Sequence, residues 1–470
     1  MKVTHVALRP TEAAEKAGAP ALTPELLAAT GARYSRSNEG LFAILDRIDP
    51  EHPDKSVDSI FRMVDYGHQS IADMAPAAMF LDGISIHLAY YVWSLCSVAG
   101  GQESSTRYLD LSTSTLPDPE ALGISDGAEW QRLMTDCFGA YRMMLEEWQA
   151  LAEKEPELTR IPGTLRDDPS PKAVKAVARM RRNYAFDRAR YFLPAAVPTN
   201  VMLVMSARSW VQLCQHLASQ PLREANDLAE AIRSELALCS PRLIKHACCQ
   251  ESIAKGIRQE HSEWRRMAAE MPACLVDETL PPDHDPKAHL AVLGANGLDG
   301  EKAAEDLAGH DNRYAWIGSG LRQTAVRFGW DAVTLAELRD LNRHRTGSKY
   351  CPQVPMGFYS AMDQVSDSDR GRGLEERLAE LAEIGRDATR AARTRLADGD
   401  PAYIYWALLG TQYPFEHVTT ADKFIYEAEL RTGVGSHYRY AQHLHDALTL
   451  WYREFPETTG LIHEGTAEPE

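Results

Sequence analysis

The sequence predicts an α+β fold in which helices outnumber strands and the chain is organised as two related halves. Three patterns carry that reading: long amphipathic segments, short apolar or alternating segments, and an order of segments that occurs twice. Over residues 128–155, Trp130, Leu133, Cys137, Tyr141, Met144, Leu145 and Trp148 recur at three- and four-residue spacing. One helical face is therefore apolar, and Glu155-Pro156 ends it. Residues 374–397 repeat the pattern with Leu374, Leu378 and Leu381, closed by Asp398-Gly399-Asp400-Pro401. Residues 438–452 repeat it again with Tyr440, Leu444, Ala447, Leu448 and Trp451. These stripes read as core faces. Strands are expected over Met79–Ile86, Val197–Met205 and Thr324–Trp330, the last by alternation, and over the short apolar run Tyr403–Leu409.

The repeat is visible in spacing. Pro194 lies twelve residues before Ser206-Ala207-Arg208-Ser209-Trp210, and Leu408 lies twelve before Thr420-Ala421-Asp422-Lys423-Phe424. The expected organisation is an N-terminal half over 1–255 and a linker or insertion over 256–310. A C-terminal half over 311–460 and an acidic tail over 461–470, frayed from Gly465, complete it. The linker reading rests on Pro272, Pro281, Pro282 and Pro286.

Composition excludes several classes. With 470 residues, 44% hydrophobic and 25% charged, the chain has ordinary globular usage. No run approaches the ~18–20 apolar residues of a membrane span. The start, MKVTHVALRPTEAAEKAGAP, has no apolar core of a secretory signal, so a cytoplasmic protein is expected. Fifty basic against 67 acidic residues give a net charge of −17, which argues against nucleic-acid binding. An anionic ligand must then be held by local arginines. The eight cysteines form no CxxC pair, the pattern of reduced thiols. His246-Ala247-Cys248-Cys249 has no second ligand pair at suitable spacing and reads as the end of a packed helix, so no metal is expected.

Two polar clusters stand out. Arg343-His344-Arg345 follows a helical pattern over Val333–Leu341. Its guanidinium forks suit a pyrophosphate or carboxylate, although basic residues also complement a helix C-terminus without any ligand. Gly101-Gln102-Glu103-Ser104-Ser105-Thr106-Arg107-Tyr108 is a glycine-led polar loop. It could cradle a phosphate with backbone N–H groups, Ser105 and Arg107, or be simply solvated.

Taken in order, Tyr66-Gly67-His68-Gln69-Ser70-Ile71-Ala72-Asp73, Gly83-Ile84-Ser85 and Gln102–Tyr108 resemble the flavin-dependent thymidylate synthases (the ThyX family), whose signature is RHRxxSxNExSxRY. Ala189-Arg190-Tyr191-Phe192-Leu193-Pro194 and Ser206–Trp210 resemble that family's second block, so the likeness covers 35–255. The first half departs from the family at Leu95-Cys96-Ser97, where Arg-His-Arg is usual, and at Gly100, Gln102 and Leu217. It keeps Glu103, Ser105, Arg107 and Tyr108. The second half keeps Arg343-His344-Arg345-Thr346-Gly347-Ser348, matching RHRxxS, and Arg431. It loses the rest at Tyr350, Cys351, Gln353 and Pro355, and carries Ile404 where the first half has Arg190. The losses are complementary.

The resemblance implies two diverged family copies in tandem, each an antiparallel sheet flanked by helices, with one composite site built from both. The family's reaction is reductive C5-methylation of dUMP to dTMP, with FAD as cofactor and methylenetetrahydrofolate and NADPH as co-substrates. By resemblance, Arg343, His344, Arg345 and Ser348 hold the flavin, and Ser70 and Arg208 its remaining length. Asp73 stands where glutamate is usual. Glu103, Ser105, Thr106, Arg107 and Arg190 line the nucleotide. Arg431 faces the pyrimidine as the catalytic charge. Single-copy members are tetramers, so a homodimer is implied. Two alternatives stand: the same chemistry on another pyrimidine nucleotide or biosynthetic substrate, and a scaffold that kept the fold without the flavin.

Overall fold

A computed structural model describes the chain except residues 50, 66–68, 97–98, 271–286, 295–296, 366–371 and 469–470. Tyr66-Gly67-His68, Ser97, Cys274, the four prolines expected to mark the linker, and the last two tail residues lie outside the described residues. Two antiparallel sheets are present. The first is formed by β1 (Lys2–Val6), β2 (Pro76–Ser85), β3 (Gly100–Glu103) and β4 (Pro198–Ser206), in the order β1-β2-β4-β3. The second is formed by β5 (Ala288–Leu293), β6 (Ala325–Thr334), β7 (Ser348–Tyr350), β8 (Gly357–Phe358) and β9 (Thr411–Thr420). Its order is β5-β6-β9-β7, with β8 also on β9.

The two sheets follow one plan. In each, the second strand has a register shift near its end, between Asp82 and Ile84 and between Trp330 and Val333. Gly83 takes φ 71° at the first, a conformation glycine adopts without steric cost. In each, the two central strands run straight into helices through a hydroxyl residue. Ser85 accepts from Leu88 N, Ser206 from Ser209 N, and Thr334 forms a capping box with Glu337. Such residues satisfy the orphan N–H groups of a first turn. Thr420 occupies the fourth such position.

Two compact units divide the chain differently from the sequence halves. One comprises 1–104, 117–123 and 198–261, and contains the first sheet. The other comprises 105–116, 124–197 and 262–470. It contains the second sheet and the long helices Gly127–Lys154, Pro171–Ala189 and Arg372–Asp398. The apolar stripe of the Gly127–Lys154 helix explains this membership. Trp130, Cys137, Tyr141, Met144 and Trp148 are buried, and Trp130 Nε1 donates to Tyr405 O at 2.8 Å.

Within the second unit the matched positions of the repeat meet. Pro194 and Leu408 form an antiparallel bridge. Ala195 N donates to Ala407 O at 2.9 Å, and Leu409 N donates to Leu193 O at 2.8 Å. The two bonds exchange roles, as across a two-fold axis.

The structure corrects four expectations. Tyr403–Leu409 is not a strand: Pro401–Trp406 is a 3₁₀ turn whose first N–H groups are capped by Asp400. A short run buried on every side carries no periodicity to tell the two apart. Residues 256–310 are more than a linker, since they hold the end of the Glu251–Glu270 helix, edge strand β5 and the Gly300–Leu307 helix. The segment His246–Cys249 is not a helix end; it leaves a 3₁₀ turn over Ile244–His246, and Cys248 and Cys249 are exposed. The tail is not frayed through 468. Ile462 and Ala467 are buried, Ala467 N donates to Thr432 O at 2.7 Å, and Glu468 pairs with the buried Arg188 at 3.1 Å. Its acidity is what a buried guanidinium requires. Among the described residues no helix is long and apolar enough to cross a membrane.

Candidate functional site

The helix Leu335–Leu341 is buried along its whole length, including Glu337, Arg339 and Asp340. Charged groups stay inside a protein only when paired, and the pairing here builds a pocket. Asp340 Oδ1 faces Arg343 at 3.4 Å and Oδ2 faces Arg190 at 3.9 Å. Burial raises the Asp340 carboxyl, but Arg343, Arg190, Arg431 and Arg107 outweigh it and hold it below the usual carboxylate range. It is an anion at neutral pH.

Arg190 comes from the turn that ends the Pro171–Ala189 helix. One turn earlier, Asp187 takes two bonds from Arg107, at 2.8 and 2.9 Å. Arg107 also donates to Gly435 O at 3.0 Å. Thr106 is buried between two guanidiniums, its Oγ1 accepting from Arg190 at 3.4 Å and Arg339 at 3.2 Å. Arg431, in the last turn of the Ala421–Thr432 helix, donates from Nε to His344 Nε2 at 2.6 Å and from Nη2 to Asp340 O at 3.3 Å. Its guanidinium stands 5.5 Å from the Tyr440 ring centroid.

These groups enclose a pocket of about 240 Å³ within the second unit. Ser105, Thr106, Arg107, Arg190, Arg343 and Arg431 line it, together with Arg313, Arg339, Asp340 and Tyr440. Six guanidiniums thus meet one carboxylate in the lining, with Asp187 behind Arg107. The excess of positive charge suits an anion carrying several oxygens. Arg190 adds a specific sign of it: its Nε and Nη2 are buried and make no hydrogen bond. Buried donors of this kind are rare without an acceptor to meet them.

A polar network stands behind Arg431. Burial pushes the His344 imidazole down to about 3, with Arg431 and Lys349 adding to the effect. The ring is therefore neutral and its Nε2 lone pair accepts from Arg431. Its Nδ1 faces Glu427 Oε2 at 3.9 Å. The same oxygen meets His417 Nδ1 at 3.2 Å, and His417 Nε2 meets Thr346 O at 2.7 Å. His437 is likewise held well below the usual imidazole range, by burial and then by Arg190 and Arg107. Its Nδ1 accepts from Arg439 N at 3.2 Å.

This arrangement predicts acid lability. The unfolded chain binds protons that the folded His344 and His437 refuse, so stability falls as pH drops below the ordinary imidazole value near 6.5. The two rings together remove roughly 2 kcal/mol between pH 6 and pH 5. Urea midpoints measured at both pH values check this, and His344→Gln is expected to flatten the dependence. A midpoint that does not move would contradict it.

The residues expected from sequence divide between the units. Ser105, Thr106, Arg107, Arg190, Arg343 and Arg431 come together. His344 lies behind Arg431, buried, instead of presenting its ring to the open face. Arg345 and Ser348 are exposed and outside the lining. Ser70, Glu103 and Arg208 belong to the other unit. There Ser70 is exposed, Glu103 pairs with Val201 across β3 and β4, and Arg208 bonds Asp73 at 2.8 Å. Arg208 lines a smaller pocket of about 130 Å³ with Gln69, Gln212, Gln215 and His246. Sequence reasoning missed Arg313, Arg339, Asp340, Asp187 and Tyr440. Spacing offered a signal for two of them: Arg339 lies four residues before Arg343, and Asp187 three before Arg190.

Comparison with known proteins adds three findings. Residues 21–242 match the family Thy1, described as thymidylate synthase complementing protein. The UPF0159 protein Ta1429 of Thermoplasma acidophilum is 25% identical over 478 residues, covering 92% of this chain and 93% of that protein. A crystal structure of the UMP/dUMP methylase PolB from Streptomyces cacaoi, bound with 5-Br dUMP, is 16% identical. It covers 52% of this chain and 93% of its own, with a TM-score of 0.31, too low to carry an argument.

Proposed function

We propose, from the match of residues 21–242 to the Thy1 family, that the chain is a thymidylate synthase-like methyltransferase with one composite active site. The reaction is reductive C5-methylation of a pyrimidine nucleotide, with dUMP the first candidate and UMP the second. One observation carries the reading. Ser105, Thr106, Arg107 and Arg190 of the first half line the same pocket as Arg343 and Arg431 of the second.

The residues fit a nucleotide monophosphate. Arg107, Ser105 and Arg190, whose Nε and Nη2 make no hydrogen bond, take its phosphate oxygens. Asp187 and Asp340 preset these guanidiniums, so little reorganisation is needed on binding. Arg431, fixed by His344 and Asp340 O, faces the pyrimidine and stabilises negative charge at its N3 edge. A pocket of about 240 Å³ falls below the ~300–1,000 Å³ typical of sites for larger ligands. FAD would therefore lie largely outside it, against Arg343, whose side chain is 40% exposed, and the exposed Arg345. When bound, the flavin supplies the hydride, NADPH restores it, and methylenetetrahydrofolate supplies the carbon. Two tandem chains provide four family copies, so the assembly is proposed to be a homodimer in the cytoplasm.

The test is the visible spectrum of the purified protein after incubation with FAD and desalting, followed by methylation assays with dUMP and UMP. About one FAD per chain and turnover of either nucleotide are expected. A colourless protein without turnover would instead favour a scaffold.

A further inference from the structure

Two residues before Arg431, the same helix carries Glu429, which is fully buried. Its Oε1 accepts from His310 Nε2 at 2.8 Å and from the backbone N–H of His463 at 2.8 Å. His463 Nε2 meets His310 O at 2.7 Å. A carbonyl only accepts, so Nε2 carries the proton and the Nδ1 lone pair of His463 is bare. Two further atoms are in want of a partner. Glu429 Oε2 and His310 Nδ1 are both buried and make no hydrogen bond. One nitrogen or oxygen from each of the three residues lies within 4.8 Å of the other two.

An ion pair between His310 and Glu429 does not account for this. A protonated His310 would satisfy the charge of Glu429, but Glu429 Oε2 would still face nothing. Such a group costs desolvation free energy. A cation bound by the His310 nitrogen that faces Glu429, by the carboxylate and by His463 Nδ1 gives the buried Glu429 Oε2 a partner. Two imidazoles and a carboxylate are a donor set that Zn²⁺ accepts readily, with a fourth position left for water. The bond from His463 Nε2–H to a backbone carbonyl is the outer contact that metal-bound histidines commonly make, since it fixes the tautomer and the ring.

We propose that His310, Glu429 and His463 form a site for one divalent transition-metal ion, Zn²⁺ foremost, that clamps the 461–468 segment onto the Ala421–Thr432 helix. The three ligands come from three separate stretches of chain, so the ion crosslinks them. Bonds from Gly465 N to Thr432 Oγ1 at 3.1 Å and from Ala467 N to Thr432 O already hold the segment in place. The ion fixes its near end, on the turn that presents Arg431 to the pocket. The proposal stands apart from the methyltransferase reading and needs no nucleotide or flavin.

The experiment uses the full-length chain, stripped with EDTA and titrated with ZnCl₂ at pH 7.5 by calorimetry, with thermal melts alongside. One Zn²⁺ per chain and a melting temperature that rises with Zn²⁺ are expected. His463 is exposed, so His463→Ala should fold, lose that binding event and melt at a Zn²⁺-independent temperature. The pair Cys248→Ser/Cys249→Ser controls for the exposed thiols and is expected to bind as the wild type does. Uptake should weaken at pH 5.5, where imidazoles protonate. Wild-type chain that takes up no more Zn²⁺ than His463→Ala, or binding lost only in the serine pair, overturns the proposal.

Discussion

Replacing Arg431 by alanine is expected to lower kcat/KM for nucleotide methylation by about 10²–10³-fold, the usual cost of removing one preorganised charge from a transition state. The effect should fall on kcat more than on KM, because the proposed site assigns the phosphate to Arg107 and Arg190. Lysine is not expected to rescue it. Arg431 spends Nε on His344 and Nη2 on Asp340 O at the same time, and a single ammonium cannot reproduce that fork. The His344 ring then becomes a test of positioning. His344→Gln keeps an acceptor for Arg431 Nε and should retain most activity, whereas His344→Leu should approach the Arg431→Ala value. Steady-state kinetics on the three variants decide it. Equal activity of His344→Leu and wild type would contradict the positioning role.

Arg107→Ala is expected to destabilise the protein by about 3–5 kcal/mol, the penalty for stranding one member of a buried ion pair. Asp187, its partner, has a side chain 3% exposed and that of Arg107 is 11% exposed. The loss should appear in urea unfolding at pH 7. Adding Asp187→Asn to Arg107→Ala removes the stranded charge and should restore much of the stability, because an amide tolerates burial better than a carboxylate. Nucleotide affinity should not return with it. A double variant that regains stability but not binding separates the two roles of Arg107. One that regains both would show that Arg107 serves folding alone.

Much of the fold is legible in the residues. The strands around Met79–Ile86, Val197–Met205 and Thr324–Trp330 and the helices over 128–155, 374–397 and 438–452 follow from periodicity and turn chemistry, and the twelve-residue spacing marks positions that pair across the bridge of Pro194 and Leu408. What stayed hidden depends on tertiary context. Edge strand β5 sits in a proline-marked stretch, and Glu468 of the acidic tail pairs with Arg188, a partner no local pattern reveals. The site divides the same way. Arg431 and Leu217 occupy matched positions, each eleven residues past the N-cap residue of its helix, Thr420 and Ser206. Leu217 is fully buried while Arg431 lines the pocket. That contrast is readable once the halves are aligned. Arg313, by contrast, lies in an irregular segment with no motif, and Asp187 and Asp340 are single acids on helices that look ordinary until their arginines are located.

The measurement that tests the account most directly is a calorimetric titration of the full chain with dUMP, and in parallel with UMP, beside the Arg190→Met and Arg431→Ala variants. One nucleotide per chain is predicted, with binding lost in Arg190→Met and weakened in Arg431→Ala, because both sequence halves build the one pocket. Two nucleotides per chain, or binding that ignores either substitution, would contradict a composite site.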